Sequence, residues 1–544
     1  MSSTFEGLYI ARSGVQAARA NLNVTGQNIS NANTLGYTRQ RVDQSAIPPS
    51  AIRMMYAASG AINGEGVMAS GISQLRNPFL DSQFRTQNAK CGSSSTLLNA
   101  MSDIEDILNE STTDGLSAQF ANLITQLQGL TSSGSGSATE STVKNAASLL
   151  ATFFNTASSE LDTVQKQQLG YLQDYASGQA NKLMRDIASL NEQIKSANIA
   201  GTPALELLDQ RNSMIDELSQ YANIKVTEKD TGSASVKGQP VNDLEITLVD
   251  AKGDPIQARN SDGTLKTDGD GNPVPVTLVS NDQYVQFDVN VGEAEDPSPY
   301  GEVSMTVSEL SADSTKSDYN DMQDSDFSTG EISGYLQLLN QSGDFDGTST
   351  KGIGYYKQVL NEAAQKFADL MNKANSTNDA GNNKPLFTSD GTSADGITAG
   401  NITIASAWTS GYLTTTKSTP NAGDDNSSGT DNIEYMISQL TGKDTVQIEA
   451  GGKVIFSGSM QGAVDDISLK LGQDIDSLAS QDNANANTLT NIDNARLELS
   501  SVDINEEAIN LIQYNQSLSA SARFMTTMDE VLDTIINGMG IAGR

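Results

Sequence analysis

The sequence predicts an α+β multidomain protein, with terminal coiled-coil helices and a long helical-bundle domain, and β-rich inserted domains in the middle of the chain. Three observations carry this. Apolar residues recur in alternating steps of three and four near both ends of the 544-residue chain, the mark of a coiled-coil seam. The same spacing persists from about residue 141 to 198. Between about 224 and 328 it gives way to short β-type runs separated by Asp/Gly/Asn turns.

The first helix is expected from Thr4 to about Asn31, with Leu8, Ala11, Val15, Ala18, Leu22, Thr25 and Ile29 as its seam. Many of these side chains are small, and Gly7, Gly14 and Gly26 each cost a helix about 1 kcal/mol relative to Ala. Such a helix is marginal alone and needs a partner along its seam. At the other end, Ser500 and Ser501 interrupt a helix expected from about Gln461 to Leu499. Asp503 then caps a new one, with Glu506 three residues on as in a capping box. Leu497, Ile504, Leu511, Leu518, Met525 and Leu532 follow at seven-residue steps. Ala508, Tyr514, Ala522, Met528 and Ile535 flank them, and Gly538 and Gly540 end the helix. Residues 1–44 carry four Arg against Glu6 and Asp43, whereas residues 501–544 carry six acids against Arg523 and Arg544. The opposite charges predict that the terminal helices pair with each other.

Inside the termini, Leu116, Phe120, Leu123, Leu127 and Leu130 keep the helical spacing. A Ser/Gly-rich loop, Thr131–Thr139, precedes a helix from about Ser141 to Asn198. Its seam runs through Val143, Leu150, Phe154, Leu161, Tyr171 and Tyr175, and resumes at Leu183, Ile187, Leu190 and Ile194 after one extra residue. A further helix reaches about Tyr221. Strands are expected at Leu244–Val249, Val274–Val279, Tyr284–Val289 and Val303–Val307. Helix returns from Glu331 to about Lys373 with a loop at Ser342–Gly354, and Pro385–Ser459 is again β- and loop-rich around Trp408, the one tryptophan. The expected units are 1–75 (N-terminal axial helix and linker), 76–223 (helical), 224–329 (β-rich insert), 330–384 (helical), 385–460 (second β/loop-rich region), 461–500 (helical) and 501–544 (C-terminal axial helix). Residues 224–328 are expected to be replaceable by a short linker with the packing made by the helices largely intact.

Composition excludes several classes of function. A net charge of −34 repels phosphate, which argues against nucleic acid and against anionic membrane. No apolar run reaches the ~18 residues of a membrane span. Met1–Ile10 has neither the basic stretch nor the apolar core of a Sec-type signal peptide. The chain has no histidine, which removes Ser-His-Asp and Cys-His nucleophiles and HExxH zinc sites together. Cys91 is alone and reads as incidental. Asp268-Gly269-Asp270-Gly271-Asn272 opens like a calcium loop, but Pro273 and Val279 stand where that loop needs Gly and Glu, so a hairpin turn is expected. Neither Gly442-Lys443 nor Gly352-Ile353-Gly354 has the spacing of a nucleotide-binding loop. No catalytic residue, cofactor or metal is expected.

One segment is far more specific. Asn28-Ile29-Ser30-Asn31-Ala32-Asn33-Thr34-Leu35-Gly36-Tyr37-Thr38-Arg39-Gln40 resembles the N-terminal signature of the rod, hook and hook-associated axial proteins of the bacterial flagellum. Asn and Gly tolerate the left-handed backbone that ends a helix, and Tyr37 is placed to pack back as an anchor. Further blocks agree: Gly66-Val67 to Phe79–Arg85, Leu207–Asn212, Gly330-Glu331 with Gly334, Pro385–Phe387, and Val502–Ala508 with Asn510-Leu511. The ending Thr38-Arg39-Gln40 is closer to the hook-associated branch than to hook or rod proteins.

The resemblance implies a structural subunit, exported unfolded through the flagellar type III apparatus and assembled extracellularly at the hook–filament junction. Its terminal helices pair in the inner tube and its β domains face outward. It also implies a ring-like homo-oligomer, contacts with hook protein and with the second hook–filament junction protein, and an export chaperone on the C-terminal helix. The residues expected at the assembly interface are Leu8, Val15, Leu22, Ile29, Asn31, Asn33, Thr34, Gly36 and Tyr37 near the N-terminus, with Ile504, Leu511, Leu518, Met525 and Leu532 near the C-terminus. Another axial subunit, such as the second junction protein or a flagellin-like chain, is the main alternative. A secreted coiled-coil adhesin and a two-carboxylate hydrolase are the readings from other classes.

Overall fold

The computed structural model describes residues 5–49, 64–108, 115–133, 137–202, 204–234, 240–260, 263–293, 302–311, 319–322, 326–340, 351–376, 384–416, 429–443, 446–450 and 453–538. The N-terminal helix α1 spans Glu6–Asn31. The segment expected as linker then forms an antiparallel hairpin, β1 (Gln40–Ile47) and β2 (Gly66–Gln74), with a bulge at Asp43/Gln44. The hairpin packs on α1, where Ser13 Oγ accepts from the Val67 amide at 3.1 Å. Its half-exposed strands lack clean alternation, so no period-2 signal marks them in the sequence.

The scaffold consists of α2 (Pro78–Leu108), α3 (Leu116–Ser133), α4 (Ser137–Gly170), α5 (Gly178–Ile199) and α6 (Leu205–Tyr221), rejoined later by α7 (Glu331–Asn340) and α8 (Ile353–Asn375). Helix α4 passes into α5 without a break, through a π-helical stretch at Tyr171–Ser177. A π-turn carries one more residue per turn than the α-helix wants. That is the extra residue by which the sequence seam slips between Tyr175 and Leu183. The slip has a structural purpose. Up to Val164 the helix lines one hydrophobic core, and from Leu169 it lines another.

The first core joins α2, α3, α4 and α8 to the second β/loop-rich region. That region holds β10 (Phe387–Thr388), β11 (Thr403–Ile404), α9 (Asp431–Thr441), β12 (Val446–Ala450) and β13 (Lys453–Gly458). Phe120, Phe154 and Phe367 meet at its centre with ring centroids 5.0–6.5 Å apart. Trp408 is buried in the same core, and Glu140 ties its loop down by accepting from Trp408 Nε1 at 3.2 Å and from the Leu413 amide at 2.9 Å.

The second core is shared between helices and strands. Leu172, Met184, Ile187, Ile215 and Leu218 of the scaffold pack with Ile246, Leu278, Phe287 and Met305 of the insert. The insert has a four-stranded antiparallel sheet, β3 (Ile224–Ala234), β4 (Pro240–Leu248), β5 (Thr277–Ser280) and β6 (Gln283–Tyr284). A three-stranded sheet follows, β7 (Phe287–Val291), β8 (Val303–Ser308) and β9 (Tyr319–Met322). Residue 224 is therefore a boundary in secondary structure and not in the core, and the insert is not the separable unit that periodicity suggests. Asp268 heads a turn in which its Oδ1 accepts from the Asp270 and Asn272 amides, the arrangement of a hairpin turn.

Helix α10 (Met460–Ser500) runs along α2, and α11 (Ile504–Asp533) continues into a π-turn at Thr534–Gly538. Gly540 and most of the expected loop at Ser342–Gly354 lie outside the described residues, while α8 begins at Ile353. The loop expected at Thr131–Thr139 is shorter, because α3 reaches Ser133 and α4 starts at Ser137.

Candidate assembly interface

Helices α1 and α11 pack antiparallel on each other. Two of the three glycines that sequence reasoning treats as weaknesses, Gly7 and Gly14, face side chains of α11. A Cβ on Gly7 would overlap the Met528 thioether, and a Cβ on Gly14 would lie 2.8 Å from Ser521 Oγ. The helix-propensity cost of each glycine is thus offset by a close helix–helix approach. Asp503 caps α11 by accepting from the Asn505 amide at 2.8 Å.

The expected seam residues divide into two groups. Leu8, Val15, Leu22 and Ile29 are half-buried, while Ala11 and Ala18 of the same seam are buried. On α11, Leu518 and Met525 are half-buried and Leu532 is buried, on the side of Ser521 and Met528 that meets α1. Ile504 and Leu511 instead remain 51% and 38% exposed. The strict seven-residue step drifts around a 3.6-residue helix, so one such row does not stay under one partner over 29 residues. The intrachain seam passes through Glu507, Asn510, Tyr514 and Leu518, leaving Ile509 and Ile512 exposed as well.

The signature that follows α1 is bound into its own chain. Gly36 takes a left-handed φ of 78°. Asn28 is buried, donates to the Gln40 carbonyl at 2.9 Å and accepts from both the Gln40 amide and the Tyr37 hydroxyl at 3.0 Å. Thr34 Oγ1 donates to Asn31 Oδ1 at 3.3 Å, Asn31 Nδ2 reaches back to Gln27, and Asn33 is exposed. The Thr38 amide donates to Asp209 Oδ2 at 3.1 Å. The Arg39 amide donates to the Ser500 carbonyl at 2.8 Å, at the break between α10 and α11. The Arg39 guanidinium bridges to Glu506 and to buried Glu507 at 2.7 and 2.9 Å.

Most of the separate sequence blocks therefore meet in one place, while the Pro385–Phe387 block lies in the first core, with Phe387 against Phe367. Arg76 pairs with Asp81 at 3.1 Å, and Arg85 with Asp216 at 2.7 Å. Arg496 of α10 also holds Asp216 at 2.5 Å and lies over the Phe84 ring at 3.9 Å, a cation–π contact. The Gly330 amide donates to Ala89, and Glu331 accepts from Gln220. Burial pushes the Tyr37 hydroxyl up to about 12, with Asp209, Glu206 and Glu507 adding to it. Burial also raises the Asp209 carboxyl, against the bonds from Thr38. It brings Arg211 down to about 10, against Glu228 and helped by Arg85 and Arg76. For Arg39, burial works downward and is outweighed by Glu506 and Glu507, so its net direction is up. Cys91 is pushed up to about 11 by burial and by Asp482, far from a reactive thiolate.

Sequence reasoning missed this ionic junction, because its members are scattered from Arg39 to Glu507 and no local period connects them. The usable signal was that Arg39, Arg76, Asp81, Arg85, Asp209, Glu506 and Glu507 lie in the resemblance blocks, whereas Asp216 and Arg496 lie outside them. Among the described residues no group of His, Cys, Asp or Glu has the arrangement of a metal site, and no helix is long and apolar enough to cross a membrane.

Comparison with known proteins agrees with this architecture. Residues 101–387, more than half of the chain, match the flagellar hook-associated protein FlgK helical domain. Residues 8–38 match the flagella basal body rod protein family, and residues 494–538 match the flagellar basal body rod FlgEFG protein C-terminal family. The chain is similar to flagellar hook-associated protein 1 of Bacillus subtilis, 29% identical over the full length of both chains. It is also similar to flagellar hook-associated protein 1 of Escherichia coli, at 25% identity over 97% of this chain and 98% of the other. In fold it resembles the flagellar hook junction protein FlgK from Burkholderia pseudomallei, with a TM-score of 0.51 and 13% identity over 76% of this chain and 99% of that one. The two terminal matches cover the helices that pair and the central match covers most of the helical scaffold: the chain belongs to the FlgK family of flagellar hook-associated proteins, structural subunits of the hook–filament junction.

Proposed function

We propose that the chain works as a ring-like homo-oligomer in the axial tube, as a structural subunit and not as an enzyme. One observation carries the reading. Helix α11 closes one face on α1 yet leaves Ile504, Ile509, Ile512, Phe524 and Val531 between 42% and 57% exposed. A helix pair with one face closed and apolar side chains spread over the rest of α11 in water calls for further helices around it. Neighbouring copies supply them in the tube, hook protein meets the ring on one side, and the second hook–filament junction protein meets it on the other. Before assembly the exposed face of α11 is the natural seat of an export chaperone, and type III export places the subunit outside the cell. The test is a strain lacking the protein. It is expected to build hooks, grow no filaments and shed flagellin into the medium; normal filaments in that strain reject the reading.

A further inference from the structure

A cavity of about 480 Å³ opens where the end of β2, the start of α2, α6 and the first insert sheet come together. Arg76, Arg85 and Arg211 line it, with the apolar Ile224, Val226 and Leu244 of β3 and β4. The arginines are only partly satisfied. Arg85 is 6% exposed and gives Nε to Asp216. Among the described residues its two Nη groups have no hydrogen-bond partner, yet neither is sealed from open space. Arg211 is 7% exposed, donates Nη1 to Asn191 at 3.2 Å, and meets Glu228 only at 3.7 Å through a carboxylate whose side chain is 56% exposed. Asp81 and Glu228 are the acids of the lining, so it is net cationic in a chain of charge −34.

We propose that this cavity is a carboxylate socket, and that its occupant is an acidic side chain of a neighbouring copy of this chain. Guanidinium N–H groups that open onto a cavity without a protein acceptor are free to bind one, and a carboxylate is the acceptor whose planar shape fits them. The apolar wall suits the methylene stem of Glu or Asp. The second copy is favoured because the chain carries 67 acids against 33 cations. Close packing of such copies brings like charges together, and a cationic socket is where one of them is neutralised. The choice of occupant rests on the ring proposed above, whereas the carboxylate chemistry of the cavity does not.

Two measurements on the full chain separate these. Glutarate, a small dicarboxylate, is titrated calorimetrically into the purified protein. Wild type is expected to bind it. Glu228→Gln removes a competing acid and should tighten binding. Val226→Glu keeps every arginine, places a carboxylate at the cavity wall, and should weaken binding at least about tenfold. Absence of glutarate binding by wild type, or equal binding by Val226→Glu, overturns the socket. A photo-cross-linking side chain at position 226 is then activated in intact flagella. A covalent dimer of this chain is expected, and a cross-link to a different protein overturns the neighbouring copy as occupant. If the chain is missing from flagella altogether, the ring reading fails, and the glutarate result still decides the chemistry of the cavity.

Discussion

The terminal helix pair and the phenylalanine-centred core of the scaffold use the same three–four apolar spacing and bury it very differently. In the scaffold, Phe120, Phe154 and Phe367 are 0% exposed and touch one another. In the terminal pair Gly7 and Gly14 lie against Met528 and Ser521, and α11 keeps apolar side chains in water. The spacing is common to both, so what separates them is side-chain size. Large residues on every facing helix complete a core within one chain. Glycines and alanines on one helix bring the backbones together, bury little, and leave the outer face for other chains. The first region stores stability, and the second, on the reading proposed above, is kept for assembly.

The largest effect is expected from the β insert. Replacing residues 224–328 by a short linker strips Ile246, Leu278, Phe287 and Met305 from the helices they cover and bares Met184, Ile187 and Ile215. At roughly 1.5–3 kcal/mol per exposed large side chain, these three alone cost about 5–9 kcal/mol, comparable to the whole stability of an ordinary domain. The variant is expected to lose cooperative thermal unfolding. A soluble deletion that melts cooperatively and assembles would show that the insert belongs with neither region. Next comes Phe367→Ala, which opens a cavity among three rings and should cost about 3–5 kcal/mol in denaturant unfolding. It should leave the α1–α11 pairing intact, as read by protection of α11 from limited proteolysis.

Leu518→Asp probes the other side of the comparison. Leu518 is half-buried on the face of α11 toward α1, so an unpaired carboxylate there should cost about 1–3 kcal/mol of terminal pairing. The phenylalanine core does not use that face, and its melting temperature should not move. Purified variant added to bare hooks should fail to support filament growth. Equal growth would mean that this face is not needed for assembly, and early melting of the scaffold would join the two regions into one cooperative unit.

Most of the helical architecture was legible because it is periodic. The slip of the seam between Tyr175 and Leu183 even marked the π-turn at Tyr171–Ser177. The hairpin at Gln40–Gln74 was not legible, because its strands lie half-exposed on α1 and no alternation survives. The shared second core was hidden for a related reason. Periodicity reports that a residue faces inward, and it does not report which element it faces; Ile187 and Ile215 look the same whether a helix or a sheet covers them. At the candidate site, the helix-forming rows on α1 and α11 were visible, whereas the clasp of Arg39 on Glu506 and Glu507 spans more than 460 positions and leaves no local trace.

The smallest expected effect tests the joint between the two regions. Asp209 is 7% exposed and accepts the Thr38 amide, so it ties the segment after α1 to α6 of the scaffold. Burial raises its folded pKa above the ordinary 3.8. For a carboxyl raised on folding, the sign runs opposite to that of a salt-bridged acid. Its favourable contribution is fully present below the unfolded pKa, where the group is neutral in both states, and is lost as pH rises through the folded pKa. At neutral pH the folded chain therefore bears the cost of a buried charge. Asp209→Asn keeps an oxygen to accept from Thr38 and removes that charge. The variant should melt slightly higher than wild type at pH 7, and the difference should shrink as pH falls toward 3.8. A variant that melts lower at pH 7 would show that attraction to Arg76 outweighs burial, making Asp209 an ionic member of the junction and no longer a hydrogen-bonding one. A difference independent of pH would mean that the carboxyl does not titrate with folding, and the joint would then rest on uncharged contacts such as that of Gln74 with the Leu205 carbonyl.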